Sequence, residues 1–136
     1  MKSLIKSPLR KLAGEHFAVI SVPGRKTGKI YELPLNVTPS NGGYFATSLR
    51  SRTWWRNLRG GAEACLLLGG RRLPVRGEVI EAPQAVAVEL EQYFIQNPGL
   101  ARYFDVKTGP DGCPDPTDLA RAATLRVAIR LRVIRV

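Results

Sequence analysis

Leu125-Arg126-Val127-Ala128-Ile129-Arg130-Leu131-Arg132-Val133 sets apolar residues at every odd position against arginine or alanine at every even one. A period of two sends successive side chains to opposite faces of a strand, so the stretch predicts a long, half-buried β-strand. Such a strand must find neighbours, because an open row of backbone N–H and C=O groups is costly and invites aggregation. The neighbours are legible upstream. Phe17 to Val22 is mainly β-branched or apolar, and Tyr31, Leu33, Leu35 and Val37 alternate with Glu32, Pro34, Asn36 and Thr38 across a Pro23-Gly24 turn. Asn41-Gly42-Gly43 supplies the positive φ of a second turn and leads into a third strand over Tyr44 to Ser48. Ala64 to Leu68 and Leu73 to Ile80 form a further hairpin around Gly69-Gly70.

Helices are predicted mainly in the second half. Pro83 opens one that runs to about Gln96, with Val86, Leu90 and Phe94 recurring every four residues and Asn97-Pro98-Gly99 ending it. A short one carries Tyr103. Asp115, Pro116 and Asp118 read as an N-cap, a first-turn proline and an acid at the positive end of a helix dipole. Lys2 to Ala13 is expected to form a short helix stopped by Gly14, although Pro8 fits its middle poorly. Five or six antiparallel strands with late helices define an α+β, mainly β chain whose long last strand returns to seal a closed or half-closed barrel. Its length, 136 residues, suits one domain, 1–136.

Composition narrows the function. Hydrophobic residues at 44% and charged residues at 24% describe a folded chain, and no apolar run reaches the length of a membrane-spanning helix. Cys65 and Cys113 have no metal-ligand or disulfide spacing, which suggests reduced thiols in the cytoplasm, and the single histidine, His16, argues against zinc. His16, beside an apolar strand, reads as structural. The net charge of +10 gathers in two acid-free segments, Arg25, Lys26 and Lys29 in one and Arg50, Arg52, Arg56 and Arg59 in the other. Anions will concentrate near both, whether polyanionic cofactor, nucleic acid or the acidic inner face of a membrane. No recognition helix or paired-aromatic strand supports nucleic acid.

Gly24-Arg25-Lys26-Thr27-Gly28-Lys29 has three residues between its glycines and Ile30 after the lysine, so it is not a nucleotide-triphosphatase loop. It offers backbone donors, a hydroxyl and cations at a hairpin bend, which suits either a phosphate or carboxylate ligand or a solvated basic turn. Thr53-Trp54-Trp55-Arg56-Asn57-Leu58 reads as a helical turn in which one indole faces the core and its neighbour faces elsewhere. The second ring would suit a flavin, a base or a membrane interface equally well, or pack in the core with the first.

Taken together these segments resemble the deazaflavin-dependent nitroreductase family of split-barrel flavin-binding proteins: Gly-Arg-Lys-Thr-Gly opening the second strand, Pro34-Leu35 soon after, Ala46-Thr47-Ser48, and Trp54 to Leu58 in the same order. The likeness spans about Phe17 to Ile80 and, more loosely, the Tyr103 region and the last strand. It implies a split β-barrel holding the deazaflavin coenzyme F(420), with FMN as the alternative. Arg25, Lys26, Thr27, Gly28 and Lys29 would lie near the phosphate and oligoglutamyl tail, and Pro34, Ala46, Thr47, Ser48, Trp54 and Asn57 would complete the cofactor site. Tyr103 and Ser48 are the implied catalytic residues, and Tyr93 is assigned to helix packing. The implied reaction passes a hydride from the reduced ring to a hydrophobic acceptor, a quinone or nitroaromatic; the alternative is a non-catalytic flavin- or lipid-binding module. Such barrels commonly pair, so a homodimer is an open expectation, as is peripheral membrane contact. The link Leu49 to Thr53 is shorter than the family's, which usually carries a Gly-Gly pair and a proline before the tryptophan.

Overall fold

A computed structural model describes residues 16–40 and 42–134, and the helix expected over residues 2–13 lies outside them. Six strands, β1 (His16–Pro23), β2 (Ile30–Ser40), β3 (Gly43–Leu49), β4 (Ala62–Leu68), β5 (Arg71–Ile80) and β6 (Arg126–Val133), close into a barrel in the order β1-β2-β3-β6-β5-β4. Closure leaves no open edge, which is what the arginine-studded β6 requires. β1 pairs antiparallel with β2, Val19 opposite Pro34, and with β4, Val19 opposite Leu67. β4 pairs in turn with β5, Leu67 opposite Arg72. Two helices follow β5: α1 (Pro83–Gln96) begins and ends as expected, and α2 (Pro116–Leu125) precedes β6, with a 3₁₀ segment, Pro98–Phe104, between them.

The chain forms two compact units. The first takes residues 16–46, 53–79 and 129–134 among those described, and its core is the inward row of the strands: Ile20, Val22, Val37, Leu66, Val75 and Leu131, with Trp55 and Leu58. Two glycines make this packing possible. A Cβ on Gly77 would sit 2.9 Å from Leu58 Cδ2 and 3.3 Å from Leu131 Cδ2, and one on Gly43 would strike the Leu131 carbonyl where β3 meets β6.

The second unit, residues 47–52 and 80–128, packs α1 on α2 through Val86, Leu90, Phe94, Leu119, Ala122 and Ala123. Tyr93, on the packing face as expected, joins Phe94 and Phe104 in an aromatic cluster with centroids 5.0 to 6.1 Å apart. The Arg126 guanidinium lies 4.3 Å over the Phe104 ring, and burial holds its pKa below the usual arginine value. Asp115 caps α2 by accepting a bond from Asp118 N–H at 3.0 Å.

Two details of the alternating stretch differ from expectation. Leu125 is the last residue of α2, exposed, because the helix started by Asp115 runs on to it; the strand begins at Arg126. Ala128, expected to face outward, is buried with Val127 and Ile129, so the strand is covered on both faces there. His16 is exposed at the start of β1 and has no core role.

Candidate functional site

The turn between β1 and β2 is built by its glycines. Gly24 is buried, its N–H donating to Lys29 O at 2.6 Å, and a Cβ there would lie 2.7 Å from the Tyr31 ring. Gly28 takes φ +73°, open to a glycine and strained for any other residue, and its N–H returns to Gly24 O at 2.9 Å. The Thr27 hydroxyl accepts from Lys29 N–H at 3.2 Å. These bonds tie the bend to itself and leave the Lys26 and Lys29 side chains exposed on its outside.

Asn57 joins this bend to the tryptophan turn. Its Oδ1 accepts from Arg25 N–H at 3.1 Å, while its Nδ2 donates to Trp54 O at 3.0 Å. The Arg25 guanidinium donates to Arg59 O, across the same junction. The basic bend and the Trp54–Arg59 part of the second basic segment are therefore tied together within the first unit, whereas Arg50 and Arg52 belong to the second. Arg25 commits its guanidinium to the Arg59 carbonyl, and Lys26 and Lys29 are exposed on the same bend.

Trp54 and Trp55 both lie in a 3₁₀ segment, Trp54–Leu58, and both are buried, at 7% and 2% exposure. Of the two readings of this turn, the one in which both indoles are buried holds, and the short segment lies against β1 and β4. Trp55 is further covered by the guanidinium groups of Arg59 and Arg56, 5.2 and 5.8 Å from its centroid. Trp54 is buried too, with little of its ring open to a ligand.

The remaining candidates are spread more widely. Pro34 lies on the outer face of β2, paired with Val19. Ala46 and Ser48 are buried in β3, with the Ser48 hydroxyl donating to Leu49 O at 3.2 Å, and Thr47 between them is half-buried. Tyr103 sits on the 3₁₀ segment of the second unit, 60% exposed, under the Arg102 guanidinium at 5.3 Å. Beside it an open cleft of about 1010 Å3 is lined by Gly99, Arg102, Lys107, Thr108, Asp118 and Arg121.

Arg50, expected to serve the anion-attracting surface, has a different task. Its Nε donates to Thr124 O, and its Nη2 donates to the carbonyls of Glu81, Ala123 and Arg126 at 2.8 to 3.1 Å. Its own N–H reaches Leu125 O at 2.8 Å. One residue thus satisfies the carbonyls left open at the end of α2, where a cation also meets the negative end of the helix dipole. Nothing local in the sequence signals this, since the partners are 31 to 76 residues away.

The fold is that of the flavin-binding split-barrel proteins. A protein described as "F420 Reductase" matches at 16% identity, with 93% of both chains covered and a TM-score of 0.51. The FAD and heme binding protein of Mycobacterium smegmatis matches at 16% identity over 90% of this chain and 62% of its own, TM-score 0.52. A putative 5-nitroimidazole antibiotic resistance protein of Bacteroides thetaiotaomicron matches at 12% identity, over 99% and 81%, TM-score 0.54. No family model and no curated protein matches the sequence. Among the described residues, no helix is long and apolar enough to cross a membrane.

Proposed function

We propose that the chain is a single-domain oxidoreductase that binds the deazaflavin coenzyme F(420) and passes a hydride from its reduced ring to a hydrophobic acceptor such as a quinone or nitroaromatic. The observation that carries this reading is the Asn57 bridge, which makes the basic bend and the tryptophan turn one surface. The shared fold with a protein described as "F420 Reductase" supports it, and the likeness to a FAD-binding protein keeps FMN as the alternative.

The donor set fits an anionic tail. Lys26 and Lys29 are exposed on a bend held by the Gly24–Lys29, Gly28–Gly24 and Lys29–Thr27 bonds, so a phosphate or carboxylate meets cations carried on a tied turn. Gly28 leaves open space beside them, with nothing within 4 Å of where a Cβ would stand. The bound coenzyme would supply the hydride chemistry, and the chain would supply binding, orientation and exclusion of water. Thr47 and Trp54 are the proposed ring-side contacts, with Ser48 and Tyr103 the proposed groups for hydrogen bonding or protonating the acceptor.

A second reading, a non-catalytic flavin- or lipid-binding module, draws on the burial of Ser48 and the exposure of Tyr103, which leave the acid–base role unassisted. Anaerobic mixing of protein, reduced deazaflavin and a quinone or nitroaromatic separates the two. Catalysis predicts acceptor-dependent recovery of the oxidised absorbance band, and a Tyr103→Phe variant slower in turnover with unchanged coenzyme Kd. Binding without any rate enhancement would establish the module instead.

A further inference from the structure

We propose that the open cleft of the second unit, about 1010 Å3, is a binding site for a small organic anion whose phosphate or carboxylate is held by Arg102, Lys107 and Thr108. The cleft has three walls: the 3₁₀ segment with Pro98, Gly99 and Arg102, the stretch Val106 to Thr108, and the first turns of α2 with Asp118 and Arg121. Their backbones are tied to one another. Val106 N–H donates to Ala101 O at 3.1 Å, Lys107 N–H to Asp118 Oδ2 at 3.1 Å, and Asp115 N–H to Lys107 O at 2.7 Å. A ligand thus meets a formed site, which spares part of the ordering cost of binding. The volume suits an organic molecule rather than a bare ion, and Gly99 adds room on its wall, with nothing within 4 Å of where a Cβ would stand.

The sign of the ligand follows from which charges of the lining are already answered. Asp118 accepts from Lys107 N–H and, at 2.9 Å, from Arg121 Nη1, and these bonds hold its carboxyl below the usual carboxylate pKa. Arg121 is engaged in turn, its Nη2 donating to Asp105 O at 2.6 Å. The Asp105 carboxylate is matched electrostatically by Arg126, the half-buried guanidinium over Phe104. The remaining two charges are both positive. Among the described residues, neither the Arg102 guanidinium nor the Lys107 ammonium makes a hydrogen bond or ion pair; Arg102 only overlies the Tyr103 ring at 5.3 Å.

A cationic ligand would find both acids of the cleft committed, and a neutral one would leave two cations facing it unanswered. An oxyanion completes the set, since Arg and Lys donate charge-assisted bonds to phosphate or carboxylate and the exposed Thr108 hydroxyl adds a further donor. The site uses the second unit alone, so it does not depend on the coenzyme reading, whose cations Lys26 and Lys29 belong to the first.

Titration of the 15N-labelled full chain at low salt with phenyl phosphate, benzoate and neutral benzamide tests this, followed at the amides of Lys107, Thr108 and Gly109. At least one of the two anions should shift these amides saturably and benzamide should not; the anion that binds tells phosphate from carboxylate. Lys107→Ala and Arg102→Ala should each weaken that anion about tenfold with unchanged far-UV circular dichroism. Arg132→Ala, the same loss of charge at an exposed position of β6 in the first unit, should leave the affinity unchanged. Absence of a saturable shift with both anions overturns the proposal, as do equal shifts with benzamide. Equal weakening by Arg132→Ala would also overturn it, by showing only the general attraction of a basic protein for anions.

Discussion

At the scale of single residues, the arginines divide into those that build the protein and those left at its surface, and composition cannot tell them apart. Arg50 and Arg25 stand in the two basic segments, yet both direct their guanidinium groups at backbone carbonyls. Replacing Arg50 by Ala should therefore lower the unfolding free energy by about 2 to 3 kcal/mol, because charge-assisted bonds to partly buried carbonyls are lost and the carbonyls are left open. Chemical denaturation would measure this, and Lys at 50, without a planar fork, should restore only part of it. Gly43→Ala should cost about 1 to 3 kcal/mol by forcing β3 away from the Leu131 backbone; an unchanged midpoint would show that the strands adjust freely there. The roles of Arg50 and Gly43 were beyond the sequence because each depends on atoms far along the chain.

At the scale of elements, regular structure was legible wherever a local rule sufficed. The hairpins at Gly24, Gly42 and Gly69 and the limits of α1 follow from turn chemistry and periodicity. The tryptophan segment did not, because a 3₁₀ turn has no amphipathic period and its packing on β1 and β4 decides where both indoles go. The start of α2 carries a pH prediction. The Lys107 backbone N–H, and then the Arg121 guanidinium 2.9 Å away, hold the Asp118 carboxyl below its usual pKa. A carboxylate whose folded pKa is depressed stabilises fully above its unfolded value near 4 and loses that contribution as pH falls through the folded value. Thermal unfolding should thus drop from about pH 4 downward, and Asp118→Asn should flatten that part of the profile. Asp115→Ala should remove the cap at about 1 kcal/mol.

At the scale of the molecule, a barrel sealed by β6 follows from the sequence pattern, the split-barrel type from the family resemblance, and the strand order only from the structure. The proposed site is only partly legible: the Gly24–Lys29 bend forms at the hairpin turn that the glycines signal, whereas Ser48, Ala46 and Trp54 are buried and Tyr103 is exposed, facts that only packing decides. The charge excess has a use if the ligand is a polyanion, and its affinity should then weaken as salt shortens the Debye length below about 8 Å. The most direct test is a fluorescence titration, at low salt, of the wild type and Lys26→Ala with the oxidised deazaflavin coenzyme and with its chromophore lacking the phosphate and glutamyl tail. The coenzyme should bind the wild type, lose about tenfold in affinity on Lys26→Ala, and keep the tail-free chromophore's weaker binding unaffected by that substitution. Absence of coenzyme binding, or equal affinity of both ligands for both proteins, would contradict the account.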